Sequence, residues 1–405
     1  MRTKCKDLLE LFTFTIFSAR RWFKELLILP AGDNKILFDC FKPRIVPPHL
    51  YIHIPYCVTK CPYCDFYSAP IESLPNPDIY IDAVLDELSF CIGKFDTIFI
   101  GGGTPSAIPL KTFERLLKKI AERLKSGYEW SVEANPKDVT SELVRMLKDY
   151  GVNRFSIGFQ SSSDNVLKRL GRRHSQKDNE CAVETAVNAG FEKISGDIIF
   201  GLPNDELEKT LDFFLQNNIS HLSAYELHVE GNSRWNIDGY DPSVSDEEKM
   251  KCMEKTIFIL EERGIMRYEI SNFAKPGFEC RSHINVWSSG EYVGIGAGAH
   301  GFEQGIRYVH LPNTKEYVEN KIVEYEDSNK LKENAIAMET MMLGMRMIRG
   351  IDIEKLSPLR KNALMNRKNI LDSLTADGLI EIFGSIIKPT SRGLLFVNEI
   401  ALRFA

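Results

Sequence analysis

The sequence predicts an α/β protein: a partial, open barrel of six parallel strands alternating with helices, followed by a smaller α+β unit resembling a winged helix. Three observations predict it. Six short apolar runs recur between segments with helical spacing. Polar residues gather at the carboxyl ends of those runs. The pattern changes after residue 228 and again near 331. Parallel α/β folds build their sites at the carboxyl ends of strands, and six strand–helix units fit an open barrel better than a closed eight.

Pro43, Pro47 and Pro48 punctuate the approach to the first strand. The strand candidates are Leu50–Ile54, Thr97–Ile100, Trp130–Glu133, Arg154–Gly158, Lys193–Phe200 and His221–Leu227. Between them apolar residues fall at helical spacing over Tyr80–Cys91, Leu110–Leu124, Glu142–Asp149 and Glu180–Ala189. Residues 245–264 read as a long helix, and 266–310 as a less regular stretch rich in Gly and aromatics. Helical patterns at 332–347 and 361–377 lead into Asp377-Gly378. Strand-like runs follow at Leu379–Phe383 and Ser385–Lys388, then a helix start at Pro389–Leu394. The expected organisation is an N-terminal extension over 1–48, a barrel over 49–230, a barrel extension or connecting region over 231–330, and the C-terminal unit over 331–405.

Composition narrows the function class. The chain has 405 residues, 43% hydrophobic and 26% charged, with a formal charge of −5, which gives no reason to expect nucleic acid or an anionic membrane as main partner. The basic cluster of the C-terminal unit (Arg360, Lys361, Arg367, Lys368) is mild, so a DNA-binding or sensor role has little support. The cysteines number nine, and six of them are scattered, which speaks for a reducing compartment and against a disulfide framework. The apolar run Leu11–Ala19 is too short for a bilayer, which needs about 20 residues, and no Ala-x-Ala cleavage site follows it. We read residues 1–48 as an amphipathic extension or an early translation start, and expect a cytoplasmic protein.

The strongest local signal is Cys57-Val-Thr-Lys-Cys61-Pro-Tyr-Cys64, directly after the first strand. Three thiolates in one loop can wrap a corner of a cubic iron–sulfur cluster and leave the fourth iron open. A structural zinc site wants four ligands, and His53, the nearest fourth, lies mid-strand. Chance clustering of buried cysteines is the other alternative.

This C-x3-C-x2-C motif, with Tyr63 before its last cysteine, resembles the signature of radical S-adenosylmethionine (SAM) proteins. The phrase Tyr51-Ile-His-Ile-Pro-Tyr-Cys57 is similar to one branch: the oxygen-independent coproporphyrinogen III dehydrogenases and the related HemW-type heme chaperones. The resemblance runs from about Leu50 to the C-terminus. It implies a radical SAM barrel, with a [4Fe–4S] cluster on Cys57, Cys61 and Cys64 and SAM chelating the open iron. It also implies a reductant whose electron, passed through the cluster, cleaves SAM to methionine and a 5′-deoxyadenosyl radical.

The same resemblance gives SAM contacts. Gly102, Gly103 and Thr104, in the glycine run after the second strand, lie beside the amino group; glycines also allow close backbone approach. Glu133 ends the third strand, where a carboxylate suits ribose hydroxyls or an ammonium; a helix N-cap or surface charge is the plain alternative. Gln160, Arg172 and Asp197 are assigned to SAM, Arg172 rather than Arg173 by its spacing from Gln160. An arginine fork pairs well with a carboxylate. Tyr63 is carried over as the aromatic neighbour of the adenine. Tyr51 is carried over as a SAM contact, with a buried strand tyrosine as the alternative.

Within the branch, the dehydrogenases have a further cysteine where this chain has Phe66. The Cys64-Asp-Phe phrase, the Gly171-Arg-Arg-His174 segment, Tyr268–Ala274 and Gly294–Gly301 look like the chaperone side. That side implies binding of heme and transfer to an acceptor protein, in all expectation a respiratory, membrane-associated client. The alternative is decarboxylation of coproporphyrinogen III propionates in porphyrin biosynthesis. The chaperones' His-Asn-x-x-Tyr-Trp motif is altered here to Ser282-His283-Ile-Asn-Val-Trp287. His283 is the candidate heme ligand, with Cys280 nearby as another; a hydrogen-bonded structural histidine is the alternative reading of His283.

Overall fold

The computed structural model describes residues 42–217, 219–320, 323–327 and 332–405. The expectations for residues 1–41, including Cys5 and Cys40, lie outside the described residues. We number the main elements only. Strands β1 (His49–Ile54), β2 (Phe95–Gly102), β3 (Leu124–Ala134), β4 (Arg154–Gln160), β5 (Lys193–Phe200) and β6 (His221–Glu226) answer the six predicted runs. Each pairs with the next in parallel register. Helices α1 (Pro77–Phe90), α2 (Leu110–Ala121), α3 (Ser141–Asp149), α4 (Gln176–Asn188) and α5 (Leu207–Gln216) follow successive strands from β1 to β5.

Local chemistry fixes the helix starts. The Asn76 side chain accepts from the Asp78 amide at the head of α1, with Pro77 in the first turn. A reciprocal Ser175–Asp178 capping box opens α4, and Ser245–Glu248 does the same for α6 (Asp246–Glu261).

The strands alternate sharply. One set of positions (Leu50, Ile52, Ile98, Ile100, Trp130, Val132, Phe155, Ile157) packs in a single core with Phe113, Leu116 and Leu147 of the helices. The opposite set is mostly polar: Tyr51 and His53, Glu129, Ser131 and Glu133, Arg154 and Ser156, Ser195 and Asp197, His221, Ser223 and Tyr225. A closed eight-stranded barrel fills its interior with branched apolar layers. This open one presents a polar inner wall.

The sheet is larger than predicted. A seventh parallel strand, β9 (Val293–Ile295), lies beside β1, and a hairpin of β7 (Met266–Arg267) and β8 (Asn272–Ala274) adds antiparallel strands to β6. The order is β7-β8-β6-β5-β4-β3-β2-β1-β9. Strands of two or three residues carry too little alternation to be read from sequence. They form because β1 and β6 offer unpaired edges. Gly294 in β9 has no room for a side chain, since a Cβ there would meet the His300 carbonyl at 1.8 Å.

Helix α7 (Arg281–Trp287) lines the inner side between β8 and β9, and α8 (Glu333–Gly344) opens the C-terminal unit. That unit has its own core, in which Ile336, Met341, Leu364, Leu374, Ile387 and Ile400 meet. The helix expected over 361–377 is two, Pro358–Met365 and Lys368–Ala376, because Arg367 leaves helical geometry (φ −118°, ψ 35°). A hairpin of Ile380–Phe383 and Ile386–Pro389 follows, with Ile351–Asp352 on its other edge. Glu339 ties the unit to the barrel extension by accepting from both Arg307 and Arg360. Among the described residues, no helix is long and apolar enough to cross a membrane.

Candidate functional site

The cysteine loop leaves β1 at the barrel mouth. Tyr56 and Cys57 pair with Ala69 and Pro70, so the two ends of the loop are held together. Inside it the Cys64 amide donates to the Cys61 carbonyl (3.1 Å), closing a tight turn. Cys57 is buried, Cys61 and Cys64 are half-buried, and all three are free thiols. Burial pushes the Cys57 thiol up, and burial beside Cys61 pushes Cys64 up to about 12. Among the described residues no three His, Cys, Asp or Glu side chains converge as they would around one ion. Thiolates on a cubic cluster bind separate irons and so stand apart, unlike the ligands of a tetrahedral zinc. His53 is not a spare ligand. It is fully buried, its Nε2 donates to the Tyr67 carbonyl and its Nδ1 accepts from the Tyr51 hydroxyl, both at 2.8 Å.

The two adjacent arginines point to different places. Arg172 Nη1 lies 3.4 Å from both Cys61 Sγ and the Tyr63 hydroxyl, and Nη2 donates to the Gly158 carbonyl (3.0 Å). Its Nε is buried with no partner. Arg173 turns away to Asp138. Gly171 (φ +66°) is required here, because a Cβ would lie 2.6 Å from Pro62 Cδ in the cysteine loop.

The glycine run threads between the ends of β1 and β3. The Gly102 amide donates to Glu133 Oε2 (3.1 Å), Gly103 to the Ile54 carbonyl (2.8 Å) and Thr104 to the Tyr56 carbonyl (2.7 Å). A Cβ at Gly103 would come within 2.7 Å of that Tyr56 oxygen. With the amides taken up and the Thr104 carbonyl accepting from the Ala107 amide (2.9 Å), the segment offers a ligand the Gly102 and Gly103 carbonyl oxygens, which suit an amino group. Thr104 Oγ1 stands 3.6 Å from Cys57 Sγ.

Glu133, Asp197 and Gln160 stand around the same mouth. Burial and the Asp197 charge push Glu133 up to about 7, against the pull of the Gly102 amide. Burial also raises Asp197, which accepts from Ser156 Oγ (3.3 Å). Gln160 has a left-handed backbone (φ +63°) at a register shift between β4 and β5, a strained conformation of the kind that gathers at binding sites. The shift aims its amide at Gly158, where a Cβ would meet Gln160 Nε2 at 2.8 Å and Arg172 Nη2 at 3.4 Å.

Two sequence-predicted residues lie a layer deeper. Tyr51 packs on Phe99 (6.3 Å between centroids) and is half-buried on the inner wall. His283 extends from α7 to the same Phe99 (5.5 Å) and to His221 (6.5 Å), with Nδ1 buried and unpartnered. The Cys280 thiol beside it holds His283 above the usual histidine range, at about 9, and is itself lowered in return. The sequence reading missed Tyr225, whose pKa burial and the Asp197 charge raise, along with Phe99 and the segment 230–240 over the cysteine loop. Tyr225 and Phe99 follow from two-residue alternation along strands already recognised; the 230–240 segment has no such pattern.

The donor set fits an iron–sulfur cluster and SAM: three free thiols, an arginine beside one of them, carbonyls for an ammonium, and strand-end carboxylates. Comparison with known proteins agrees. Residues 51–214 match the Radical SAM superfamily model, and 331–396 match the HemN C-terminal domain. The chain is 36% identical over 368 residues to the heme chaperone HemW of Bacillus subtilis, covering 86% of this chain and 97% of that one. It is 33% identical over 382 residues to HemW of Haemophilus influenzae, covering 88% and 98%. The fold is similar to that of the coproporphyrinogen III oxidase HemN of Escherichia coli, a radical SAM enzyme, with a TM-score of 0.75, 19% identity, and coverage of 90% and 92%.

Proposed function

The chain belongs to the HemW family of heme chaperones within the radical SAM superfamily, and on that premise we propose that it binds heme and passes it to an acceptor protein. In this reading Cys57, Cys61 and Cys64 hold a [4Fe–4S] cluster and leave one iron for SAM. When bound, the cluster and SAM supply one-electron reductive chemistry. The chain's own residues bind and orient. Arg172 donates toward the Cys61 sulfur and keeps Nε for a carboxylate. The glycine run Gly102, Gly103 and Thr104 lies beside the SAM amino group, whose N–H bonds the Gly102 and Gly103 carbonyls accept, Glu133 and Asp197 accept from the ribose hydroxyls, Gln160 closes that side, and Tyr63 lies along the adenine. Tyr51 supports the pocket from below through Phe99.

Heme is assigned here to the connecting region, with His283 as its candidate residue. An imidazole ligates iron only when neutral, so ligation by His283 requires it to leave Cys280. The domain boundaries given above are part of the proposal, as are a cytoplasmic location, a separate reductant for the cluster and a membrane-associated respiratory client. The observation that carries the reading is a match to a heme chaperone at 36% identity over 86% of the chain, in a sequence with Phe66 where the dehydrogenases have a cysteine. The test is anaerobic reconstitution followed by parallel assays of heme uptake and coproporphyrinogen decarboxylation. One heme per chain without decarboxylation supports the chaperone reading; efficient decarboxylation by the pure protein overturns it.

A further inference from the structure

The segment after β6 crosses the outside of the cysteine loop and is fastened to it at two points. The Trp235 amide donates to the Pro62 carbonyl (3.0 Å), and the Asn232 amide donates to Asp65 Oδ1 (2.5 Å). Pro62 and Asp65 flank Tyr63 and Cys64. The fit at the second point is close: Gly231 takes φ +58°, and a Cβ there would lie 2.2 Å from Asp65 Oδ1.

Between the two points the Trp235 ring packs on the Tyr63 ring, with centroids 6.0 Å apart at 53°. Trp235 is only 8% exposed, in a small core with Val166, Leu170, Leu202 and Leu227 that is separate from the main barrel core. Tyr240 closes its far edge (5.5 Å, 74°) and donates its amide to the Trp235 carbonyl (2.8 Å). The Tyr63 hydroxyl end is set by Arg172 (3.4 Å). Its ring therefore has a cation at one end and an indole against its side, and neither contact belongs to the cysteine loop.

We propose that Trp235 is a positioning residue for SAM: by fixing the plane of the Tyr63 ring, it sets the surface on which the adenine rests. This rests on the reading of the cysteine loop as a cluster and SAM site. Aromatic pairs with centroids 4.5–7 Å apart prefer offset or edge geometries, so a ring already held by Trp235 and Arg172 loses little freedom when a base stacks on it. The role is specific to the adenosyl end, because Trp235 touches Tyr63 and not the groups assigned to the SAM amino and carboxylate ends, which are the open iron, the glycine run and Arg172.

The test uses the full chain, reconstituted anaerobically, as wild type, Trp235→Ala and Trp235→Phe, with iron content confirming the cluster in each. SAM, S-adenosylhomocysteine and methionine are titrated, and binding is read from the electron paramagnetic resonance of the reduced cluster. Trp235→Ala should weaken SAM and S-adenosylhomocysteine about threefold to tenfold, the worth of one aromatic contact. Methionine, which has the chelating groups and no adenine, should change by less than about twofold, and Trp235→Phe should restore the adenosyl ligands. If Trp235→Ala fails to retain the cluster, Trp235→Leu, which keeps apolar packing without a ring, takes its place. Unchanged SAM affinity in the ring-less variant overturns the proposal, and so does methionine weakening in parallel. A wild type whose cluster signal ignores SAM overturns the reading of the loop itself, and this inference with it.

Discussion

Glu133 gives the account a pH dependence that can be worked through. Its carboxyl stands among protein groups at the end of β3, with Asp197 close enough to repel it, and the two effects push it up to about 7. The ionised form is the one that accepts from ligand hydroxyls or an ammonium. SAM affinity should therefore follow the ionised fraction, about ten elevenths at pH 8, one half at pH 7 and one eleventh at pH 6. Between pH 8 and pH 6 affinity should fall by about tenfold, most of it below pH 7. Asp197 has its own raised pKa and His283 contributes a positive charge, so these facing groups set where the curve is centred. Glu133→Gln removes the titration and the repulsion together. Its SAM affinity should be lower at pH 8 and much flatter across the range, with Asp197 the carboxyl that remains, while its melting temperature without ligand rises, the trade expected when a site stores unfavourable charge. The assay is SAM titration of the reconstituted protein at pH 6, 7 and 8. A wild-type curve as flat as that of Glu133→Gln would refute the reasoning.

Other outcomes follow from the same geometry. Cys61→Ala should lose the cluster absorbance and SAM cleavage and keep its helical circular dichroism, because a half-buried loop thiol carries no core packing. Gly103→Ala should destabilise the chain by about 1–3 kcal/mol and abolish SAM binding, since the neighbour a Cβ would strike, the Tyr56 carbonyl, is backbone and cannot step aside; thermal melts and SAM titration read both. Glu339→Ala should cost about 3–5 kcal/mol in chemical denaturation, because it removes the buried carboxylate to which both Arg307 and Arg360 donate. Glu339 is lowered to about 2, so the stability it adds is fully present above the unfolded carboxylate range and is lost as pH falls toward 2. An acid titration of stability in wild type and Glu339→Ala checks that sign.

The alternation of β1 to β6 was legible because each strand is long enough to show two faces, apolar toward the helices and polar toward the interior. Glu133 stood out at the end of its strand for that reason, whereas Asp197, inside β5, was reached only through the family resemblance. The choice of Arg172 over Arg173 was legible only by spacing; its physical cause, Gly171 packed on Pro62, is a contact across 109 residues. Strand β9 and the β7–β8 hairpin were not legible, because their pairing is dictated by the edges of β1 and β6 rather than by their own two or three residues. Trp235 gave no signal either. Its segment has neither helical nor strand periodicity, and its meaning comes from the cysteine loop it covers. At His283 the sequence showed a displaced motif, and the structure adds what the displacement does: the ring faces Phe99 and the inner wall, one turn from Cys280.

The central claim is that Cys57, Cys61 and Cys64 hold a cluster whose fourth iron is open to SAM. Electron–nuclear double resonance on the reduced, reconstituted protein with SAM carrying a 15N amino group tests it most directly. The account predicts a 15N coupling to the cluster that is replaced by a 14N coupling with unlabelled SAM and that needs higher SAM concentrations to appear when Arg172 or Glu133 is replaced. A cluster signal that shows no coupling at saturating SAM would contradict it.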